Sequence, residues 1–266
     1  MFFIILGIFA GIFAGMFGIG GGIIIVPTLI LIFNFTTQEA TGTSLAALLL
    51  PVGSLALFQY KKAGLLNIKV SAFISLGIFI GSAIGATIAL NINSVLLKQL
   101  YGLFLLWVGF NFVKPLELIY KQNKQKIQNF INYETELELL NINKKKLYIF
   151  LFIGIFSGIF AGMFGIGGGV IITAILISIL KIPTKYAIAI SLAALFLPSG
   201  LPGVIKYYNS GFISIFTAIF IAIGIEIGSA ISAHIAIKIS SNKIKRLYGI
   251  FIFIIGIYFI VQSFIF

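Results

Sequence analysis

The sequence predicts an all-α polytopic membrane protein made of two inverted repeats, each with a glycine-broken, re-entrant first segment followed by three transmembrane helices. Three observations predict it. Of 266 residues, 60% are hydrophobic and 9% charged, and the mean hydropathy is +1.18. An internal duplication at an offset of 147 residues covers most of the chain. Basic residues are loaded oppositely in equivalent loops of the two halves.

Apolar segments at 68–90, 212–237 and 247–266 are long enough to cross a bilayer and carry at most one charged residue each. A β-barrel would show ~10-residue alternating segments instead. The first 30 residues lack a basic leading region, and the apolar run continues past any cleavage site, so no removable signal peptide is expected. With no cysteine and no aspartate, the sequence offers no disulfide, no Cys-based metal site and no acid-rich catalytic cluster. Neither a cofactor nor a metal is expected. The net charge of +12 sits in loops between apolar segments. That placement reports topology rather than a nucleic-acid partner. The lipid bilayer of the cell (inner, cytoplasmic) membrane is the expected surrounding.

The duplication is dense. GIFAGIFAGMFGIGGG at 7–22 matches GIFSGIFAGMFGIGGG at 154–169 in fifteen of sixteen positions. SLAALLLP at 44–51 faces SLAALFLP at 191–198. Gly77 faces Gly224, Gly81-Ser82 faces Gly228-Ser229, and Lys98-x-Leu-Tyr-Gly102 faces Lys245-x-Leu-Tyr-Gly249. Repeat one is therefore 1–113 and repeat two 147–266. Residues 114–146, with seven Lys and four Glu, form a polar linker.

Each half offers four apolar segments: 2–33, 39–60, 68–90 and 95–113, then 147–180, 185–207, 212–237 and 242–265. The opening segment of each half is too long for one crossing. Thirty-two helical residues would span ~48 Å against a ~30 Å hydrocarbon core. The GIGGG run in its middle favours a break. Simple alternation through eight crossings leaves eleven basic residues on one side and seven on the other. If each glycine-broken segment enters and leaves by one face, the division becomes sixteen against two. The positive-inside rule prefers the second arrangement, with linker 114–146 cytoplasmic and both termini external.

A broken segment starts a new half-helix inside the membrane. Its first N–H groups lack partners and carry the positive end of the helix dipole. Glycines let an anion approach those groups closely. Irregular backbone at that depth survives only when buried in protein or lining a cavity. Gly18, Gly20, Gly21 and Gly22, with Gly165, Gly167, Gly168 and Gly169, are thus the candidate substrate-binding backbone. The upstream spacings Gly7-Gly11-Gly15 and Gly154-Gly158-Gly162 fit close helix packing.

GMFGIGGGIIIVP at 15–27, its repeat from Gly162, and ATGTSLAAL at 40–48 resemble the sulfite exporter TauE/SafE family of membrane transporters. The likeness rests on a duplicated GxGGGxxxxP motif and covers nearly the whole chain outside the linker. The first copy, ending at Pro27, fits completely; the second has Ala174 where proline is expected. The resemblance implies transport, as an exporter, of a small inorganic or organic sulfur anion such as sulfite, thiosulfate or an organosulfonate.

Thr41, Thr43, Ser44 and its repeat partner Ser191 are hydroxyls able to donate to an anion or to their own i−4 carbonyls; Thr43, Ser44 and Ser191 complete the substrate-binding set. Pro51 and Pro198 should kink their helices. Glu226 is the one acid well inside an apolar segment, so a raised pKa and proton coupling are expected of it. His234, the sole histidine, is two turns on and would relay protons with it. Trp107, Tyr60, Tyr101, Tyr207, Tyr208 and Tyr248 read as interfacial residues. An intramembrane enzyme is improbable on these residues, Ser199 being the nearest excuse for a nucleophile. A channel, a carrier of another anion, or a non-transporting assembly scaffold are the rival classes. Oligomeric state is not legible.

Overall fold

The computed structural model describes residues 1–18, 20–50, 54–62, 64–113, 144–180, 182–235, 250 and 252–261. Twelve helices carry the described chain. In repeat one they are α1 (Phe2–Phe17), α2 (Gly22–Phe33), α3 (Thr37–Ala47), α4 (Ser54–Lys62), α5 (Ile68–Asn91) and α6 (Ser94–Val113). In repeat two they are α7 (Lys144–Phe164), α8 (Gly169–Ser178), α9 (Thr184–Phe196), α10 (Leu201–Asn209), α11 (Ile215–Ile235) and α12 (Ile252–Val261). No strand occurs among the described residues. Most of linker 114–146 and the basic stretch 236–249 lie outside them.

Among the described residues, three helices are long and apolar enough to cross a membrane: Ile68–Asn91, Leu147–Phe164 and Ile215–Ser232. A fourth span forms if the bent pair Lys185–Phe196 and Leu201–Asn209 counts as one. These spans and the shorter apolar helices make a multi-pass membrane protein. The bend of 46° falls at Pro198, as its missing N–H and ring demand. The counterpart Pro51 lies outside the described residues.

The expected breaks are present. The α1 helix ends at Gly18 and α2 starts after Gly21; α7 ends before Gly165 and α8 starts after Gly168. Gly18, Gly20 and Gly21 take φ of 67, 77 and 80°, and Gly165, Gly167 and Gly168 take 66, 71 and 82°. Side chains with a Cβ resist that left-handed region, so glycine at these positions fixes both turns. The Phe3 and Phe33 rings meet at 4.7 Å. That contact brings the beginning of α1 and the end of α2 to the same end of the molecule. There Thr36 caps α3 in a capping box with Glu39. The Gln38 side chain donates to the Ile92 carbonyl at 3.2 Å, bringing the start of α3 beside the α5–α6 junction.

Each half lends its first helix to the other half. Gly7, Gly11 and Gly15 of α1 press successively on the backbone at Ile221–Gly224, on Ile225, and on Ser229 and Ser232 of α11. Gly154, Gly158 and Gly162 of α7 do the same along Ile74–Gly77, Ile78–Gly81 and Ser82–Ala86 of α5. Both pairs ascend together and therefore run parallel. At Gly77, Gly81, Gly224 and Gly228 a methyl group would run into the facing carbonyl oxygens of Leu151, Ile155, Ile4 and Ile8. Apolar side chains gain nothing by leaving lipid for protein, so such close backbone approach is what holds membrane helices together. The expected packing role of the upstream glycines is realised here.

Two tyrosines depart from the interfacial expectation. Tyr101 and Tyr207 are both fully buried. Tyr207 donates its hydroxyl to the Gly162 carbonyl at 2.8 Å, and Tyr101 stacks on Phe164 at 5.2 Å. Buried acceptors and ring partners outweigh the water that an interface would offer.

Gly81→Ala is expected to lower the thermal midpoint of the purified protein in detergent, because overpacking against backbone costs about 1–3 kcal/mol. Gly211→Asn, where φ is 77° and no atom lies within 4 Å, should leave the midpoint unchanged.

Candidate functional site

The two glycine turns meet. A methyl group on Gly22 would collide with the Gly165 carbonyl, and one on Gly20 would lie 3.2 Å from the Ile166 carbonyl. Gly18, Gly20, Gly21, Gly22, Gly165, Gly167, Gly168 and Gly169 are all buried. The N–H groups of Gly18 and Gly165 close α1 and α7 by donating to Ala14 and Ala161, each at 2.8 Å. Beyond them the donors fall free. No described residue accepts from the N–H groups of Gly20, Gly21 and Gly22, or of Gly167, Gly168 and Gly169. Those groups belong to the starts of α2 and α8, where a helix has no internal acceptors to give them.

The carbonyls of Gly18 and Gly165, by contrast, are held. Ser44 donates its hydroxyl to the Gly165 carbonyl at 2.7 Å, and Ser191 donates to the Gly18 carbonyl at 2.9 Å. The serines are repeat counterparts, both fully buried. Each reaches from one half to the turn of the other. A hydroxyl has a single proton to donate, so in this arrangement both are engaged with carbonyls. Thr43 is elsewhere in use: its Oγ1 accepts from the Ser214 N–H at 3.0 Å, near the start of α11.

A cavity of about 20 Å³ separates the turns, large enough for one or two waters. Its walls include the counterpart pairs Ala14 and Ala161, Gly20 and Gly167, and Leu45 and Leu192. Ser199, which the sequence offered as the nearest nucleophile, also borders it. No cluster of metal-ligating side chains occurs among the described residues.

Glu226 lies apart from the turns, half-buried on α11. Ser54, the first residue of α4, donates a hydrogen bond to its carboxylate. This partner had no sequence signal, because the two residues are 172 apart and unrelated by the repeat. The His234 side chain lies outside the described residues.

Two more hydroxyls bear on the site. Thr41 Oγ1 and Ser157 Oγ are buried and bond to nothing among the described residues. The Thr41 backbone abuts Gly165, and the Ser157 backbone abuts Gly168. Ser157 was discoverable from sequence, since it occupies the single position at which the two sixteen-residue copies differ.

A family model, sulfite exporter TauE/SafE, matches residues 3–259. The chain belongs to that family. Over 225 residues this TauE/SafE protein is 30% identical to a "Probable membrane transporter protein" of Methanocaldococcus jannaschii, covering 79% of this chain and 76% of that one. No solved structure matches it significantly. Membership in a membrane-transporter family accords with the apolar spans and the buried, glycine-built turns.

Ser44→Ala and Ser191→Ala should each lower thermal stability in detergent, by about 1–3 kcal/mol for a buried carbonyl left without its donor. Because both bonds tie the same pair of turns, the double variant is expected to lose measurably more or less than the sum of the singles.

Proposed function

We propose that this TauE/SafE protein is a secondary transporter, working as an exporter, of a small sulfur-containing anion such as sulfite, thiosulfate or an organosulfonate. The single observation that carries the reading is the convergence of two helix starts, α2 and α8, whose glycine N–H groups find no acceptor among the described residues. Such N–H groups and the dipoles behind them favour negative charge, and the absence of Cβ atoms lets an oxyanion approach. Gly18, Gly20, Gly21 and Gly22 with Gly165, Gly167, Gly168 and Gly169 form the anion site. Ser44, Ser191 and Thr43 hold the surrounding backbone in register for it.

The two halves act as inverted repeats. The support is geometric: α1 and α2 fold back on each other through Phe3 and Phe33, while α1 runs parallel to α11 and α7 parallel to α5. With α5 ending beside the start of α3, α1 and α7 then point in opposite directions and meet tip to tip. On this reading the basic loops gather on the cytoplasmic face with linker 114–146, as the positive-inside rule expects. The cavity of about 20 Å³ is too small for a sulfur oxyanion. Loading therefore parts the two turns, which is the rocking that alternating access requires. Glu226, with Ser54 against it, is the proposed proton-coupling group.

In proteoliposomes, Gly21→Ala and Gly168→Ala should each cut anion flux at least roughly tenfold at normal abundance. Their φ of 80 and 82° and backbone contacts at 3.0 Å leave no room for a Cβ. Wild-type flux of sulfite, thiosulfate or a sulfonate that is absent in every gradient tested would reject the transport reading. Glu226→Gln should keep flux but remove its response to an imposed pH gradient.

A further inference from the structure

We infer that the anion is held chiefly by the second turn, Gly165–Gly169, with the hydroxyls of Ser157 and Thr41 as its side-chain donors. This rests on the anion-transport reading above and makes its site chemically lopsided, although the fold around it is nearly symmetric.

The two turns present the same backbone and different flanks. A methyl group on Gly21 would lie 3.0 Å from the Ala10 carbonyl, and one on Gly168 would lie 3.0 Å from the Ser157 carbonyl. Ala10 and Ser157 thus occupy equivalent places beside equivalent helix starts. At the other end of each turn, a methyl group on Gly18 would meet the Ile188 backbone at 3.3 Å, and one on Gly165 would meet Thr41 Cα at 2.9 Å. Ile188 and Thr41 are again counterparts, 147 residues apart. The first turn is flanked by an alanine and an isoleucine, the second by two hydroxyls.

Those hydroxyls are conspicuous for what they leave undone. Helix serines and threonines ordinarily return their proton to the i−4 carbonyl. Thr28 does so to Ile24 at 2.7 Å, Ser71 to Asn67 at 3.0 Å and Thr173 to Gly169 at 2.9 Å. Ser157, fully buried, and Thr41, 1% exposed, do not, and no other described group accepts from them. Ser157 is also placed for the task. It precedes Ala161 by one helical turn on the same face, and the Ala161 methyl lies 3.5 Å from a methyl position on Gly168. That face is turned to the first turn of the ten-residue α8. Free main-chain N–H groups then lie in one turn against two residues whose O–H groups are unspent among the described residues, with no carboxylate among the residues named. A ligand rich in acceptor oxygens and carrying negative charge matches that set.

The test uses the full chain purified in detergent and titrated calorimetrically with sodium sulfite, sodium thiosulfate and a sodium organosulfonate. Ser157→Ala, which copies the residue of the first turn, and Thr41→Val are each expected to weaken binding of the anion that wild type takes about tenfold, the loss of a hydrogen bond to a charged group. Their ligand-free thermal midpoints should hold or rise, since each removes an unpaired buried polar group. Ala10→Ser, the mirror change, should leave affinity within about twofold. Wild-type affinity in both Ser157→Ala and Thr41→Val would overturn the lopsided site while leaving the anion reading standing. An equal gain in Ala10→Ser would overturn it too, because the turns would then contribute alike. Should wild type bind none of the three anions, the functional reading falls and this inference falls with it.

Discussion

A polar backbone group buried away from water must find a partner or cost free energy, and that constraint shapes this molecule more than any other. Long helices satisfy it internally. The two turns at Gly18–Gly21 and Gly165–Gly168 cannot, since left-handed glycines interrupt both hydrogen-bond ladders within the protein. The structure answers unevenly. It ties down the Gly165 and Gly18 carbonyls, through Ser44 and Ser191 reaching across from the opposite half, while the N–H groups of Gly20, Gly21, Gly22, Gly167, Gly168 and Gly169 find no acceptor among the described residues. Unaccepted N–H groups at a helix start carry the positive end of its dipole without any charged side chain. On the proposed reading, those amides make a break in two helices a place for a negative guest.

The rest of the architecture serves to bring those breaks together. Glycines upstream of each turn let α1 lie against α11 and α7 against α5 at backbone contact. Such packing leaves little slack along the helix axes, so the turns are delivered to a defined position. The serine bonds then join the turns of different halves, so a displacement of one is felt by the other. Rigid rods with a cross-tied centre suit a device that moves as two bodies rather than as a collection of loops.

Much of this was legible in the sequence. The offset of 147 announced the duplication, and three consecutive glycines in an apolar run announced a break, because only glycine tolerates the backbone angles found there. Family membership followed from the same motif. The roles of hydroxyls were not legible. Ser44 and Ser191 could donate to a guest or to a carbonyl, and only their contacts reveal that they hold Gly165 and Gly18. Ser54 against Glu226 joins segments that no periodicity relates. Tyr101 and Tyr207 sit near segment ends as membrane-surface residues do, yet tertiary packing draws both inside. Hydrophobic pattern reports how far a residue is from a polar loop, not which neighbour it will meet.

The exchange of first helices has a consequence for biogenesis. During translation, α1 and α5 enter the bilayer with their glycine-lined faces bare, because α11 and α7 have not yet been made. Lipid tails fill those grooves poorly. The α5 helix must wait until the ribosome has passed residue 164, and α1 until it has passed residue 235. Quality-control proteases that watch for orphan membrane segments would meet the nascent protein in that interval. A chain arrested between the halves would be cleared rather than accumulate as a stable fragment.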